Sequence, residues 1–485
     1  MESRSDTSSF TSTTQRHSQL VIGDSASPIQ QSYEEKVQQE DSALAQSTLQ
    51  INDDHVKSNL QPVTDIDDSP VRPTVREGLW ILFTGSWLNA LLIFIPFGIV
   101  SHFFWGPTPT FVLNFIAIVP LAKMLGDVTE DISLRTGEVV GGLLNATFGN
   151  AVELIVSVIA LSQNLVVIVQ SSMLGSILSN LLLVLGMCFC LGGYRFKEQV
   201  FNVTVAQTSA GLLFIATASL LMPAAFYGST LQAVSSAAEV HDILAISRAT
   251  SVLLLIIYAS YLFFQFLAPP PEAFHFSRRN SRNRVNDTEQ NSTITSDEEE
   301  EELPILPGWV AGVMLLLITV FVAICAEFLV SAIEAVVQQW NISETFVGLI
   351  LLPIIGSIAA EHVTAVTVAY KNKMDLALGV AVGSSMQIAL LVTPLMVIIG
   401  WGVNVNMSLY FNMYETAVMF IAVVMVNYLI MDGRSNWLEG LMLCSVYIIV
   451  AISFFYYPDA AAPDLDTGVN FGSTPFSVSP SASSH

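Results

Sequence analysis

Charged side chains are scarce in this chain. Only 12% of its 485 residues are Asp, Glu, Lys or Arg, whereas a soluble domain carries about a quarter. Lys and Arg are scarcer still, 18 against 41 acids, and the net charge of −23 gives no reason to expect a nucleic-acid partner. The four cysteines, Cys188, Cys190, Cys325 and Cys444, all fall in apolar stretches without metal-ligand spacing. That excludes a disulfide framework or a thiolate metal centre as the organising principle. No GxxxxGK[ST] loop occurs, so no nucleotide-driven pump and no enzymatic activity are expected. No basic stretch followed by a short apolar run stands at the N-terminus, so no cleaved leader is expected.

What the chain has in abundance is apolar sequence, at 52% of residues. About 20 apolar residues cross a bilayer at about 1.5 Å per residue. Eleven such runs are expected, near 78–104, 108–125, 142–162, 165–190, 201–223, 248–268, 307–337, 345–369, 375–400, 409–431 and 436–457. The expected fold is an all-α polytopic membrane protein. Flanking the runs are polar tails, 1–75 and 458–485, too poor in apolar residues to offset the entropy of ordering. Residues 269–303 read as a cytosolic linker between an N-terminal part, 76–268, and a C-terminal part, 304–457. The linker ends in DEEEEE, Asp297 to Glu302, which is either a self-repelling solvated segment or a cation-concentrating one. With the N-terminus in the cytosol, the basic residues beyond the first tail fall on the cytosolic side, Arg248 excepted, as positive-inside bias requires. The C-terminus is then luminal.

One stretch occurs twice. Residues 149–186 and 357–394 superpose without a gap on a shift of 208, which lays Glu153 on Glu361, Gly175 on Gly383 and Ser176 on Ser384. Ten spans after the first, divided into two fives, place the second set upside down in the membrane. The expected architecture is therefore a first span plus two inverted five-helix repeats, with the paired glutamates near mid-membrane. A carboxylate inside lipid marks a site by default, and neither the third nor the eighth span offers a Lys or Arg to neutralise it. A cation or a proton must do so.

Around the pair stand oxygen donors: Asn150, Ser176, Ser179, Ser384, Ser385 and Gln387. Such hard ligands favour calcium, with manganese as the alternative, over zinc or copper. When the cation leaves, low dielectric disfavours bare charge and the carboxylates take up protons. Competition of this kind is exchange. His362, about 100° round the helix from Glu361, reads as a supporting or packing residue, with Ser357 and Ser179. Glu130, Asp131 and Glu327, near span ends, read as relay carboxylates or as interfacial charges. Gly149 and Gly356 permit a close approach or a helix break beside the acids.

The blocks GLLNATFGNAVELIVSVIAL, MLGSILSNLLLVLG, EHVTAVTVAYKNKMDLALGVAVGSSMQIALLVTP and EFLVSAIE resemble the vacuolar cation/proton exchangers of fungi and plants, within the calcium/cation antiporter superfamily. The resemblance spans about residues 78–457. It implies calcium carried against protons across an acidic-organelle membrane such as the vacuole's, by alternating access and without a cofactor. By position it makes Glu153, Glu361 and Asn150 the central site, lined by Ser176, Ser384 and Gln387, with Glu130 and Glu327 guarding its approaches. One departure stands out: where the family's second copy carries Asn, the ungapped alignment gives Ile358. Either a ligand is lost there, or an insertion shifts Gly356 and Ser357 into its place. A lost ligand leaves a transport-impaired scaffold as the rival expectation, and a passive channel as the other.

Overall fold

The computed structural model describes residues 74–136, 138–230, 236–267, 304–357 and 361–457. The expected tails, save residues 74 and 75, the linker with its acidic run, and Ile358 lie outside the described residues. Among the described residues the chain is helical apart from one short two-stranded ribbon.

The first apolar run is two helices, because Gly85 and Ser86 interrupt it: α1 (Val75–Thr84) and α2 (Trp87–Phe104), whose first turns are 3-10. The Asn89 amide donates to the carbonyls of Leu82 and Phe83, 2.8 and 3.1 Å away, and so satisfies groups freed by the break. The second run continues eleven residues past its expected end, as α3 (Pro107–Thr136). Charges spaced four apart sustain the extension: Lys123 meets Asp127 at 2.6 Å and Arg135 meets Asp131 at 3.4 Å. The third run is broken into α4 (Glu138–Phe148) and α5 (Ala151–Ser162). Next come α6 (Val166–Phe196), strand β1 (Glu198–Val200), α7 (Val203–Thr230) and α8 (Ser236–Leu267).

The second part opens with α9 (Gly308–Ser331) and α10 (Ile333–Trp340). Then come α11, over 344–357, and α12 (Val363–Tyr370). The chain ends with α13 (Met374–Val403), α14 (Met413–Leu429), strand β2 (Arg434–Asn436) and α15 (Trp437–Phe455). The ribbon pairs β1 with β2 antiparallel, Gln199 opposite Ser435, and was not expected from the sequence.

Eight of these helices, α2, α3, α6, α7, α8, α9, α13 and α15, are long and apolar enough to cross a membrane. Shorter apolar helices, α5, α14 and Glu344–Ile354 within α11, stand where three further runs were expected. Burial separates the centre from the rim. Within their most apolar windows 78% of α6, 61% of α3 and 56% of α13 is buried, against 39% or less for the other five. The two helices bearing Ser176 and Ser384 are thus central.

Two details recur at a spacing of 208. The turn after α5 holds Asn164 at φ 61°, and the turn after α12 holds Asn372 at φ 63°. In each, the next residue's N–H reaches back to a carbonyl five residues before it, Leu165 to Ala160 and Lys373 to Val368, both at 2.9 Å. Asn tolerates this left-handed conformation at little cost. A π-helical turn also interrupts each central helix, at Ser179–Val184 in α6 and at Ile388–Val392 in α13. Such turns cluster at functional positions.

Candidate functional site

The site begins at the break between α4 and α5. Gly149 closes α4 with an N–H bond to the Asn145 carbonyl, and Asn150 leaves helical geometry at φ −106°, ψ 24°. Helix α5 therefore starts inside the apolar interior, where an open backbone end is tolerated only beside a cavity or buried in protein. Glu153 sits in its first turn, at the positive end of the helix dipole, and is 6% exposed. It lines a narrow cleft, with Ile118, Val156, Ser172, Leu329 and Gly356 among its walls. Gly356 leaves room for it: a Cβ there would run into the Glu153 carboxylate, whose Cδ would lie 2.8 Å away.

Glu361 enters from the other part of the chain. Its carboxylate accepts from the Asn180 amide at 3.0 Å and from the Ser384 hydroxyl, and it faces the Glu153 carboxylate electrostatically. A second bond crosses between the two parts in the same way, from the Asn150 amide to Gln387 Oε1 at 2.9 Å. Each asparagine thus spends its NH₂ on the other part and turns an oxygen inward. Asn150 Oδ1, Asn180 Oδ1 and the hydroxyls of Ser176 and Ser179 are buried without a hydrogen-bond partner. Unpartnered buried oxygens on the segments that carry or contact the two carboxylates are donors suited to a hard cation. The close seam that brings these groups together runs through Gly175, where a Cβ would strike the Leu349 backbone.

Among the expected site residues, Asn150 bonds Gln387, Glu361 bonds Asn180 and Ser384, Glu153 stands against Gly356, and Ser176 lies one turn before Asn180 on α6. His362 is buried beside Glu361 with Nε2 unpartnered. Ser357 ends α11, and Ile358 is outside the described residues. Glu130 lies exposed on α3. Glu327, also exposed, accepts from Gln163 Nε2 at 3.2 Å, which ties α9 to the end of α5. Asp131 has structural partners: it accepts from the backbone N–H of Ile305 and Leu306 and holds Arg135, which itself donates to the Leu306 carbonyl. It fastens the start of the second part to α3. The residue that sequence reasoning missed is Asn180. Its signal was present, since Ser172, Ser176 and Asn180 recur every four residues and so share one face of an apolar helix.

Comparison with known proteins bears on what this geometry serves. A family model described as sodium/calcium exchanger protein matches residues 107–267 and 310–456. The chain is 46% identical over 375 residues to a vacuolar calcium ion transporter of Schizosaccharomyces pombe, covering 77% of this chain and 85% of that one. It is 41% identical over 395 residues to vacuolar cation/proton exchanger 5 of Arabidopsis thaliana, covering 81% and 86%. Among solved structures, native YfkE superposes with a TM-score of 0.63 at 33% identity, over 77% of this chain and all of that one. An H⁺/Ca²⁺ exchanger, CAX, shares the fold at a TM-score of 0.54 and 13% identity, over 76% of this chain and 91% of that one.

Proposed function

Because this chain belongs to the sodium/calcium exchanger protein family, we propose that it exchanges calcium for protons across the membrane of an acidic organelle such as the vacuole. The observation that carries the reading is the crossed pair of bonds at the centre, Asn150 to Gln387 and Asn180 to Glu361, which ties the helix break before Glu153 and the Glu361 carboxylate each to the other part of the chain. Glu153 and Glu361 together neutralise one divalent ion, with Asn150, Ser176, Ser384 and Gln387 supplying further oxygens; calcium is the substrate, and manganese is its chemical neighbour. When calcium leaves, the same carboxylates take up protons, so that neither state carries bare charge through the low-dielectric centre. Glu130 and Glu327, exposed on α3 and α9, act at the approaches.

The eight long and three short apolar helices are read as eleven spans, a first one and two inverted sets of five. The matched asparagine turns and matched π-helical turns support that reading. Inversion provides two-sidedness: rocking one set against the other opens the shared site to each face in turn. The N-terminus is cytosolic and the C-terminus luminal, in keeping with the basic residues of the loops.

The test is uptake of labelled calcium by sealed vesicles containing the purified protein. Uptake is expected when the lumen is acidic, without ATP, and its loss when a protonophore collapses the gradient. Uptake that required ATP, or that ignored the gradient, would overturn the proposal.

A further inference from the structure

We propose that Ser172 is a transfer ligand for calcium, an oxygen station in the cleft through which the ion passes between Glu153 and the membrane face where α5 turns into α6. It rests on the exchange reading above.

Helices α5 and α6 pack together and are joined by the tight turn at Asn164. Ser172 stands about one helical turn nearer to that turn than Glu153 or Ser176 does. The cleft extends from Glu153 towards the same end of the helices: Val156 lies beyond Glu153 on α5, and Leu329 lies near the end of α9. That end also carries Gln163 and Glu327, bonded at 3.2 Å. With the N-terminus cytosolic, it is the luminal side.

The walls decide what the ion meets there. Apart from Glu153, Ser172 and Gly356 they are aliphatic, with Ile118, Val156 and Leu329 among them. Calcium holds about six to eight oxygens, and a narrow cleft strips part of its water. Aliphatic walls return none of it. Among the described residues Ser172 is the one uncharged polar side chain on those walls, and it is 4% exposed. Its neighbour Ser171 spends its hydroxyl on the carbonyls of Val167 and Ile168, at 2.8 and 3.2 Å, as helical serines commonly do. Among the described residues Ser172 makes no such bond back to its helix.

A hydroxyl oxygen at this point replaces one lost water while the carboxylate lets go. It lowers the barrier to passage without deepening the central site. The step is ligand exchange on the ion: a water or carboxylate oxygen leaves, the Ser172 Oγ enters, and no proton or electron moves. The repeat supplies no twin, because at a shift of 208 Ser172 falls on Val380. The oxygen belongs to one part of the chain only.

The experiment measures calcium–calcium exchange at equal pH in vesicles containing the unaltered protein, Ser172→Ala, Ser172→Cys or Ser171→Ala, and repeats each with cadmium. Ser172→Ala is expected to slow calcium about tenfold, the loss of one polar contact at the barrier, while calcium binding to the detergent-purified protein stays as it was. Ser172→Cys keeps the size but exchanges a hard oxygen for a soft sulfur. Calcium should slow as in Ser172→Ala, whereas the ratio of cadmium to calcium rate should rise about tenfold over the unaltered protein's. A merely structural role would leave that ratio alone. Ser171→Ala should behave as the unaltered protein does. An unchanged calcium rate in Ser172→Ala, or a ratio in Ser172→Cys no higher than the unaltered protein's, would overturn the proposal; the second result decides alone should Ser172→Ala fail to insert. If the unaltered protein exchanges calcium but ignores a pH gradient, the exchange reading falls while Ser172 keeps its role; if it moves no calcium, both fall.

Discussion

Three glycines in or beside the repeated stretches face three different surroundings, and alanine at each should act differently. At Gly356 the added methyl meets the far end of a flexible side chain, the Glu153 carboxylate, whose Cδ would stand at 2.8 Å where ordinary contact begins near 3.4 Å. The carboxylate, whose Oε1 is nearer still, can swing aside by the missing distance, roughly 1 Å, at little cost to the fold, but it then leaves the position in which it meets the ion. Misplacement on that scale costs roughly ten- to a hundredfold in a tightly positioned site, or about 1.4–2.7 kcal/mol of binding. Gly356→Ala should therefore raise calcium half-saturation by that factor in vesicle uptake while its thermal melt in detergent stays put. At Gly175 the obstacle is the Leu349 backbone, which cannot rotate away; Gly175→Ala should lower the melting temperature, by about 1–3 kcal/mol of overpacking. Gly383 has nothing within 4 Å of its added methyl, and Gly383→Ala should change neither quantity. A Gly356→Ala protein with unaltered half-saturation would refute the placement of Gly356 against Glu153.

Asn180→Ala removes the amide that donates to Glu361, and weaker calcium binding by about tenfold is expected from the loss of one charge-assisted bond; unaltered half-saturation would count against its place in the site. Asp131→Ala should cost about 2 kcal/mol in a detergent melt, since it strips the Ile305 and Leu306 N–H groups and a partly exposed Arg135 of their acceptor. Uptake per folded molecule should be unchanged by it, and a selective loss of pH-driven uptake would restore Asp131 as a relay.

Most of the helical architecture was legible because membrane spans announce themselves by length and apolarity, and the glutamates because buried charge is rare. What stayed hidden has local causes. The break at Gly149 and Asn150 looks apolar on average, so a hydropathy window runs through it. The extension of α3 to Thr136 depends on Lys123–Asp127 and Asp131–Arg135 pairs, which read equally as loop charge until the helix places them four apart. The ribbon joins residues more than 230 positions apart, Glu198 with Asn436, and no local pattern encodes that pairing. Asn180 escaped notice because repeat matching looks for identity: its counterpart at a shift of 208 is Ile388, so its bond to Glu361 has no twin.

The central claim is that Glu153 and Glu361 together hold the ion that protons replace. Its most direct test is pH-driven calcium uptake by vesicles carrying Glu153→Gln or Glu361→Gln, with insertion checked on the same preparations. An amide keeps the shape but can neither neutralise calcium nor take up and release a proton, so each variant should insert normally and show no uptake above that of protein-free vesicles. Near-normal uptake by either one would contradict the account.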